Sequence, residues 1–199
     1  MNFAVFCSGK GTNLQAIIDA LKRGEIKANL ALVISDQKDA YCLVRAKTAG
    51  VETVFIDPQK FSARENFDKE VIRHLERKTI ELICLAGFMR IISPYLVQRY
   101  KNRILNIHPA LLPSFKGTKG VKEALEYGVK ITGPTVHFVD EKMDHGPIVL
   151  QAAVEVRDDD TEETLAQRIH AQEYIIYPQA VKLFVEGKLK IEGRKVKII

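Results

Sequence analysis

Three apolar runs, residues 2–7, 30–35 and 80–86, constrain this chain most, because each leads through a short turn into a helical pattern. A strand with no polar alternation is one covered on both faces, as in a parallel sheet. The first run enters Ser8-Gly9-Lys10-Gly11-Thr12-Asn13 and then apolar positions Leu14, Ile17, Ile18 and Leu21 at helical spacing. The second precedes a helix over 39–49 closed by Gly50, and a short third strand follows over 52–56. Residues 61–78 read as a helix entered through Ser62, with Phe67, Val71, Ile72 and Leu75 on one face. Pro94 fits the first turn of another helix capped by Ser93, and a strand over 103–108 follows. This alternation predicts an α/β fold, a doubly wound and mostly parallel sheet in one domain over 1–199.

In such sheets ligands sit outside the carboxyl ends of the strands. Three features share that rim: the turn after Cys7, the segment after Ala86, and the end of the 103–108 strand. Side chains alternate along a strand, so Ile104, Asn106 and His108 take one face and Leu105 and Ile107 the other. Pro109 ends the ladder because it has no N–H to donate. Asn106 and His108 thus project together, a hydrogen-bonding amide beside a titratable ring. The same pair also fits a buried polar contact ahead of a proline turn.

Strand, glycine turn and helix form a phosphate-binding geometry, because the helix's free N–H groups face the turn. The turn lacks the third glycine of a dinucleotide fingerprint, and the placing of Lys10 does not match a Walker A loop. It equally fits a tight turn with Thr12 or Asn13 as the N-cap.

The second half changes character. A short helix over 121–127 ends at Gly128. Strands over 131–139 and 148–156 flank a polar connection containing Asp140, Asp144 and His145, so the pair is antiparallel and the sheet mixed. A long helix begins near Asp160, with Glu163 three residues on as an Asp-x-x-Glu capping box. Glu173 falls on its apolar stripe with Ile169 and Tyr177, where a carboxylate must be paired or is costly, unless Pro178 breaks the helix and frees it. One or two edge strands follow Gly187.

Cys7, Cys42 and Cys84 are odd in number, far apart and in apolar surroundings, which predicts reduced thiols in a cytoplasmic protein and no zinc site. The net charge of +5 is modest and decides nothing alone. Lys188, Lys190, Arg194, Lys195 and Lys197 enrich the C-terminus, which could contact nucleic acid but more often is a solvated edge, and neither nucleic acid nor a membrane is expected as a partner. No apolar run approaches the roughly 20 residues that span a bilayer.

Taken together, Ser8-Gly9-Lys10-Gly11-Thr12-Asn13, Leu85-Ala86-Gly87-Phe88-Met89-Arg90, Asn106-Ile107-His108-Pro109-Ala110-Leu111-Leu112-Pro113 and Met143-Asp144-His145-Gly146-Pro147 resemble the phosphoribosylglycinamide formyltransferases of purine synthesis. The resemblance implies a single formyltransferase domain, with a nucleotide-binding half over 1–108 and a folate-binding and C-terminal half over 109–199. It implies 10-formyltetrahydrofolate as cosubstrate, glycinamide ribonucleotide as acceptor, no metal, and a monomer or homodimer. Gly11, Thr12, Asn13, His170 and Glu173 match its nucleotide positions. Arg64, Met89, Arg90, Ile91, Ile92, Asn106 and the run 140–144, with Asp140 and Asp144, match its folate positions. His108 matches the catalytic acid, Asn106 its companion oxyanion donor, and Asp144 the carboxylate that keeps the imidazole charged near neutral pH.

Two departures stand out: Ala110 replaces a usual serine, and Lys119-Gly120 replaces a usual histidine and small residue. A formyl-folate hydrolase or a methionyl-tRNA formyltransferase is expected to carry a further domain. A non-catalytic folate or nucleotide module would explain the glycine turn, but not Asn106, His108 and Asp144 together. A dinucleotide oxidoreductase is disfavoured by the missing glycine.

Overall fold

The computed structural model describes residues Met1–Ile199 and divides into two compact units, Met1–Leu105 and Asn106–Ile199. The first apolar run forms β1 (Asn2–Phe6), with every residue after Asn2 buried. It is followed by α1 (Thr12–Lys22), β2 (Asn29–Ser35), α2 (Tyr41–Thr48) and β3 (Thr53–Phe55). After a 3-10 turn at Pro58–Lys60 come α3 (Arg64–Arg77), β4 (Ile80–Leu85), α4 (Pro94–Arg99) and the start of β5 (Ile104–His108). The strands lie in the order β4-β1-β2-β3, and all three pairings are parallel. That is the arrangement continuous apolar strands demand, since each needs helices over both faces.

Helix starts were less legible than strands. The first helix is capped by Gly11, not by Thr12 or Asn13, in a left-handed conformation (φ 70°) with no side-chain cap. A side chain at position 11 would stand 2.5 Å from Cβ of Cys42, so only glycine fits there. The α2 helix starts at Tyr41, two residues beyond the expected 39, and α3 at Arg64, with Ala63 and not the expected Ser62 as its N-cap, after a separate turn at Pro58–Lys60. Ser93 caps α4 as its sequence suggests, accepting from the Leu96 N–H at 3.3 Å.

In the second unit the rest of β5 is followed by α5 (Gly120–Tyr127), β6 (Ile131–Thr132), β7 (Thr135–Phe138), β8 (Ile148–Gln151) and β9 (Val154–Glu155). Then come α6 (Glu162–Val185), β10 (Leu189–Glu192) and β11 (Lys195–Ile198). The order is β5-β7-β8-β11-β10: β7–β8 and β10–β11 are antiparallel and β8–β11 parallel, so this sheet is mixed as expected. The expected strands 131–139 and 148–156 are each broken in two, and β6 and β9 pair in a separate two-stranded sheet. Gly133 stands at the first break: with φ 144° there, an added Cβ would meet the Ala152 carbonyl oxygen at 1.8 Å, so no side chain fits.

The α6 helix runs unbroken through Pro178. Its N-cap is Thr161, whose reciprocal partner is Thr164, while Asp160 pairs instead with Arg168; the expected Asp160–Glu163 box is not formed. Leu165 and Ile169 pack with Val121 and Val154, and Tyr177, Ala180 and Val181 are fully buried. No helix is long and apolar enough to cross a membrane.

Candidate active site

Along β5 the alternation places Asn106 and His108 on one face, and both reach a polar cluster within the second unit. His108 is 3% exposed. Its Nε2 lies 2.8 Å from the Phe115 carbonyl oxygen, which can only accept, so Nε2 carries the proton. Its Nδ1 faces Asp144 Oδ2 at 3.5 Å. That oxygen also accepts the Gly117 N–H at 2.8 Å. The other Asp144 oxygen, Oδ1, lies 3.5 Å from the Asn106 amide nitrogen and 3.6 Å from His137 Nε2.

His137, on β7, is the residue that sequence reasoning missed. It is 2% exposed, its Nδ1–H donates to the Phe138 carbonyl at 2.8 Å, and its Nε2 accepts from the Asn106 amide at 3.2 Å. Alternation did hold a signal, since Thr135 and His137 share a face of β7, the strand beside β5. The carbonyl fixes the tautomer of the ring, and the ring then orients the amide.

Burial on its own would push the Asp144 carboxyl up, but His137, the Gly117 N–H and the charge on His108 together hold it below its ordinary value. For His108 the balance falls the other way. Burial lowers its pKa, and Asp144, the Phe115 carbonyl and Glu173 only partly offset that. The expectation that Asp144 keeps His108 charged near neutral pH is therefore corrected. Asp144 acts in the expected direction, but desolvation outweighs it.

Glu173 is 3% exposed on the inner face of α6, and its Oε2 accepts from His170 Nδ1 at 2.9 Å. The pair thus joins the two expected nucleotide positions of this helix, and Pro178 does not release the carboxylate. Asp140 and Asp144 part company: Asp140 accepts from the Lys142 N–H at 3.0 Å and from His145 Nδ1 at 2.7 Å. Gly146 lets this connection close, because a side chain there would meet the Phe138 carbonyl at 1.8 Å.

The two departures have a common structural setting. Ala110 is fully buried, its carbonyl accepts the Thr135 hydroxyl at 2.7 Å, and a Cβ on Gly120 would stand 3.2 Å from its own. The same added Cβ would be 3.4 Å from His108 Nε2 and 3.0 Å from the Phe115 carbonyl oxygen. Small residues at 110 and 120 leave room for the ring and its anchor.

Within the first unit, the turn after β1 and the segment after β4 grip one another. The Ser8 N–H donates to the Gly87 carbonyl at 3.0 Å, and the Ser8 hydroxyl accepts the Met89 N–H at 2.9 Å. Met89 and Ile91 are exposed, Ile92 is buried, and the Arg90 guanidinium stacks 4.6 Å from the Phe67 ring centroid with its Nε buried and unpartnered. Arg64 opens α3, and its charge acts on the carboxylate of Asp68. An unpartnered guanidinium donor beside exposed apolar side chains suits a ligand that is both planar and anionic.

The profile described as formyl transferase matches residues 1–181. Phosphoribosylglycinamide formyltransferase of Escherichia coli (strain K12) is 44% identical over 191 residues, which are 96% of this chain and 90% of that protein. The Gallus gallus trifunctional purine biosynthetic protein adenosine-3 is 46% identical over 188 residues, 94% of this chain but 19% of that longer protein. Among solved structures, glycinamide ribonucleotide transformylase 1 from Symbiobacterium toebii superposes with a TM-score of 0.98 at 49% identity, covering 100% of this chain and 94% of the other. The phosphoribosylglycinamide formyltransferase of Bacillus halodurans gives 0.90 at 40% identity, covering 93% and 95%. By sequence and by fold, this chain belongs to the formyl transferase family and, within it, to the phosphoribosylglycinamide formyltransferases.

Proposed function

We propose that the chain transfers the formyl group of 10-formyltetrahydrofolate to the primary amine of glycinamide ribonucleotide by direct attack, with Asn106 and His108 stabilising the oxyanion and Asp144 supporting His108. The reaction itself is that of the family; the division of labour is read from the polar cluster at the end of β5. The observation that carries it is the Asp144 carboxylate standing between the two donors, with Oδ1 3.5 Å from the Asn106 amide nitrogen and Oδ2 3.5 Å from His108 Nδ1.

When the amine attacks the formyl carbon, the carbonyl oxygen gains negative charge and needs donors already in place. The His108 Nε2–H exists in both the neutral and the charged ring, because the Phe115 carbonyl selects that nitrogen. The donor role therefore survives the lowered pKa. As charge develops on the substrate oxygen, the Nε2–H exchanges the Phe115 carbonyl for the oxyanion and the ring's proton affinity rises. Ionised Asp144, 3.5 Å from Nδ1, stabilises a proton taken up there. Of the two Asn106 donor contacts, the one to His137 at 3.2 Å is the firm one, and the 3.5 Å approach to Asp144 is the one released toward substrate. Collapse of the intermediate breaks the bond to the folate nitrogen, which takes a proton while the amine loses one, by way of His108, Asp144 or water.

Nucleotide binding falls to Gly11, Thr12 and Asn13 at the uncapped start of α1, and to His170 and Glu173 on α6. Folate binding falls to Arg64, residues 89–92, Asn106 and the 140–144 segment. The test is an assay of purified protein with both substrates, expected to give formylated nucleotide; formate without formylated nucleotide would mark a hydrolase. His108→Ala should keep substrate binding and lose roughly 10²–10³ in kcat. Near-wild-type turnover would remove His108 from the mechanism.

A further inference from the structure

A cavity of about 720 Å³ opens in the first unit at the carboxyl ends of β1, β2 and β3. None of the residues assigned above to nucleotide, folate or catalysis lines it. Its wall includes Asp36, the residue directly after β2, together with Tyr41 and Phe55. Asp36 is 4% exposed, yet its Oδ1 is buried without any partner, while Oδ2 accepts from the neighbouring Gln37 amide at 3.4 Å. A buried carboxylate oxygen with no donor is a costly arrangement that a ligand hydroxyl would relieve. Tyr41 and Phe55 are 55% and 39% exposed, so two aromatic rings stand at the wall, and the Arg45 guanidinium lies over one face of Tyr41 at 5.0 Å from its centroid. The backbone at Gly9 is also uncovered, with nothing within 4 Å of where a side chain would begin.

An acid at the end of the second strand of a doubly wound sheet is placed to accept ribose hydroxyls. The charges around it say which riboside. Lys10 and Lys38 line it with three carboxylates, Asp36, Asp39 and Asp57, and Arg45 lies behind Tyr41 with its Nε on the Lys10 carbonyl at 2.9 Å. Cations and anions thus balance, and no cationic excess is left for a polyphosphate. The turn beside it lacks the third glycine with which dinucleotide folds seat a pyrophosphate. We propose that this cavity binds an uncharged ribonucleoside, or that moiety of a larger molecule, with its ribose hydroxyls on Asp36 and its base against Tyr41 and Phe55; adenosine is the probe.

The inference stands apart from the formyl-transfer reading, and its test separates the two. Calorimetric titration with adenosine, 2′-deoxyadenosine and ADP should show saturable adenosine binding, with 2′-deoxyadenosine about tenfold weaker because it lacks a donor for Asp36. ADP should bind more weakly than adenosine. Asp36→Asn should lose about tenfold for adenosine and narrow the preference over the deoxy form. Tyr41→Ala, a surface change that should leave formyl transfer intact, should weaken both nucleosides alike. His108→Ala should bind adenosine as the wild type does. No saturable adenosine binding at millimolar concentration overturns the proposal, as does equal affinity for the deoxy form. So does adenosine binding that glycinamide ribonucleotide displaces and Asp36→Asn leaves unchanged, since that places the nucleoside in the reaction site.

Discussion

His137 Nε2 accepts from the Asn106 amide at 3.2 Å, and the same ring is locked by its Nδ1–H on the Phe138 carbonyl at 2.8 Å. A ring set behind the amide thus fixes the direction of the group proposed to meet substrate. His137→Phe preserves ring volume but deletes the acceptor. It should lower kcat about tenfold with little change in either KM, because an unanchored amide loses orientation and not contact. Steady-state kinetics checks this; a rise in KM at constant kcat would place His137 in binding instead.

Acid sensitivity should trace partly to this cluster. His108 in the unfolded chain protonates near its ordinary 6.5, whereas burial holds the folded value lower. Between the two, the unfolded state binds more protons, so stability falls as pH drops below about 6.5. Asp144 adds to this at more acid pH: its folded value lies below the ordinary 3.8, so its stabilisation is present above that pH and is lost as pH falls through the lowered one. Urea midpoints measured at about pH 7.5 and about pH 5.5 should fall for the wild type and fall less for His108→Gln. Identical slopes would show that His108 is not held neutral.

The second half of the cluster was harder to read from sequence than the first. Asn106 and His108 were legible because a strand's alternation and a following proline are local rules. The parallel sheet of the first unit was legible for a similar reason, since uninterrupted apolar strands have few other solutions. His137 was hidden because its function lies in pairing across strands, which periodicity does not report. The lowered pKa of His108 was hidden too. A sequence names the carboxylate that raises it, whereas the depth of burial that lowers it is a property of the packed molecule. The 131–139 strand was overextended because the close approach of Gly133 to Ala152 is a tertiary fact.

Glu173 is buried and paired with His170, so the two roles considered for it make different demands. As a nucleotide ligand it should show an increase of roughly tenfold in the ribonucleotide KM on change to Gln, with the folate KM unmoved. An unchanged KM accompanied by a lower melting temperature would assign it to packing alone.

Gly120 tests the fit around the ring. A methyl group there would press on the Phe115 carbonyl oxygen, on Ala110 and on His108 Nε2, at 3.0 to 3.4 Å. Gly120→Ala should cost about 1–3 kcal/mol of stability by overpacking, and it should lower kcat more than it raises KM. Thermal melts with parallel kinetics would decide it; wild-type values for both would show that the 115–120 segment yields freely.

Three contacts that set the cluster come from peptide groups: the Phe115 carbonyl for His108, the Gly117 N–H for Asp144 and the Phe138 carbonyl for His137. No exchange of side chain deletes a carbonyl, and only proline deletes an N–H. The identities of residues 115 and 138 are thus uncoupled from the orientation their backbone imposes. Relatives can drift at both positions while keeping the same cluster, and a survey of invariant side chains would pass over the groups that aim His108, Asp144 and His137.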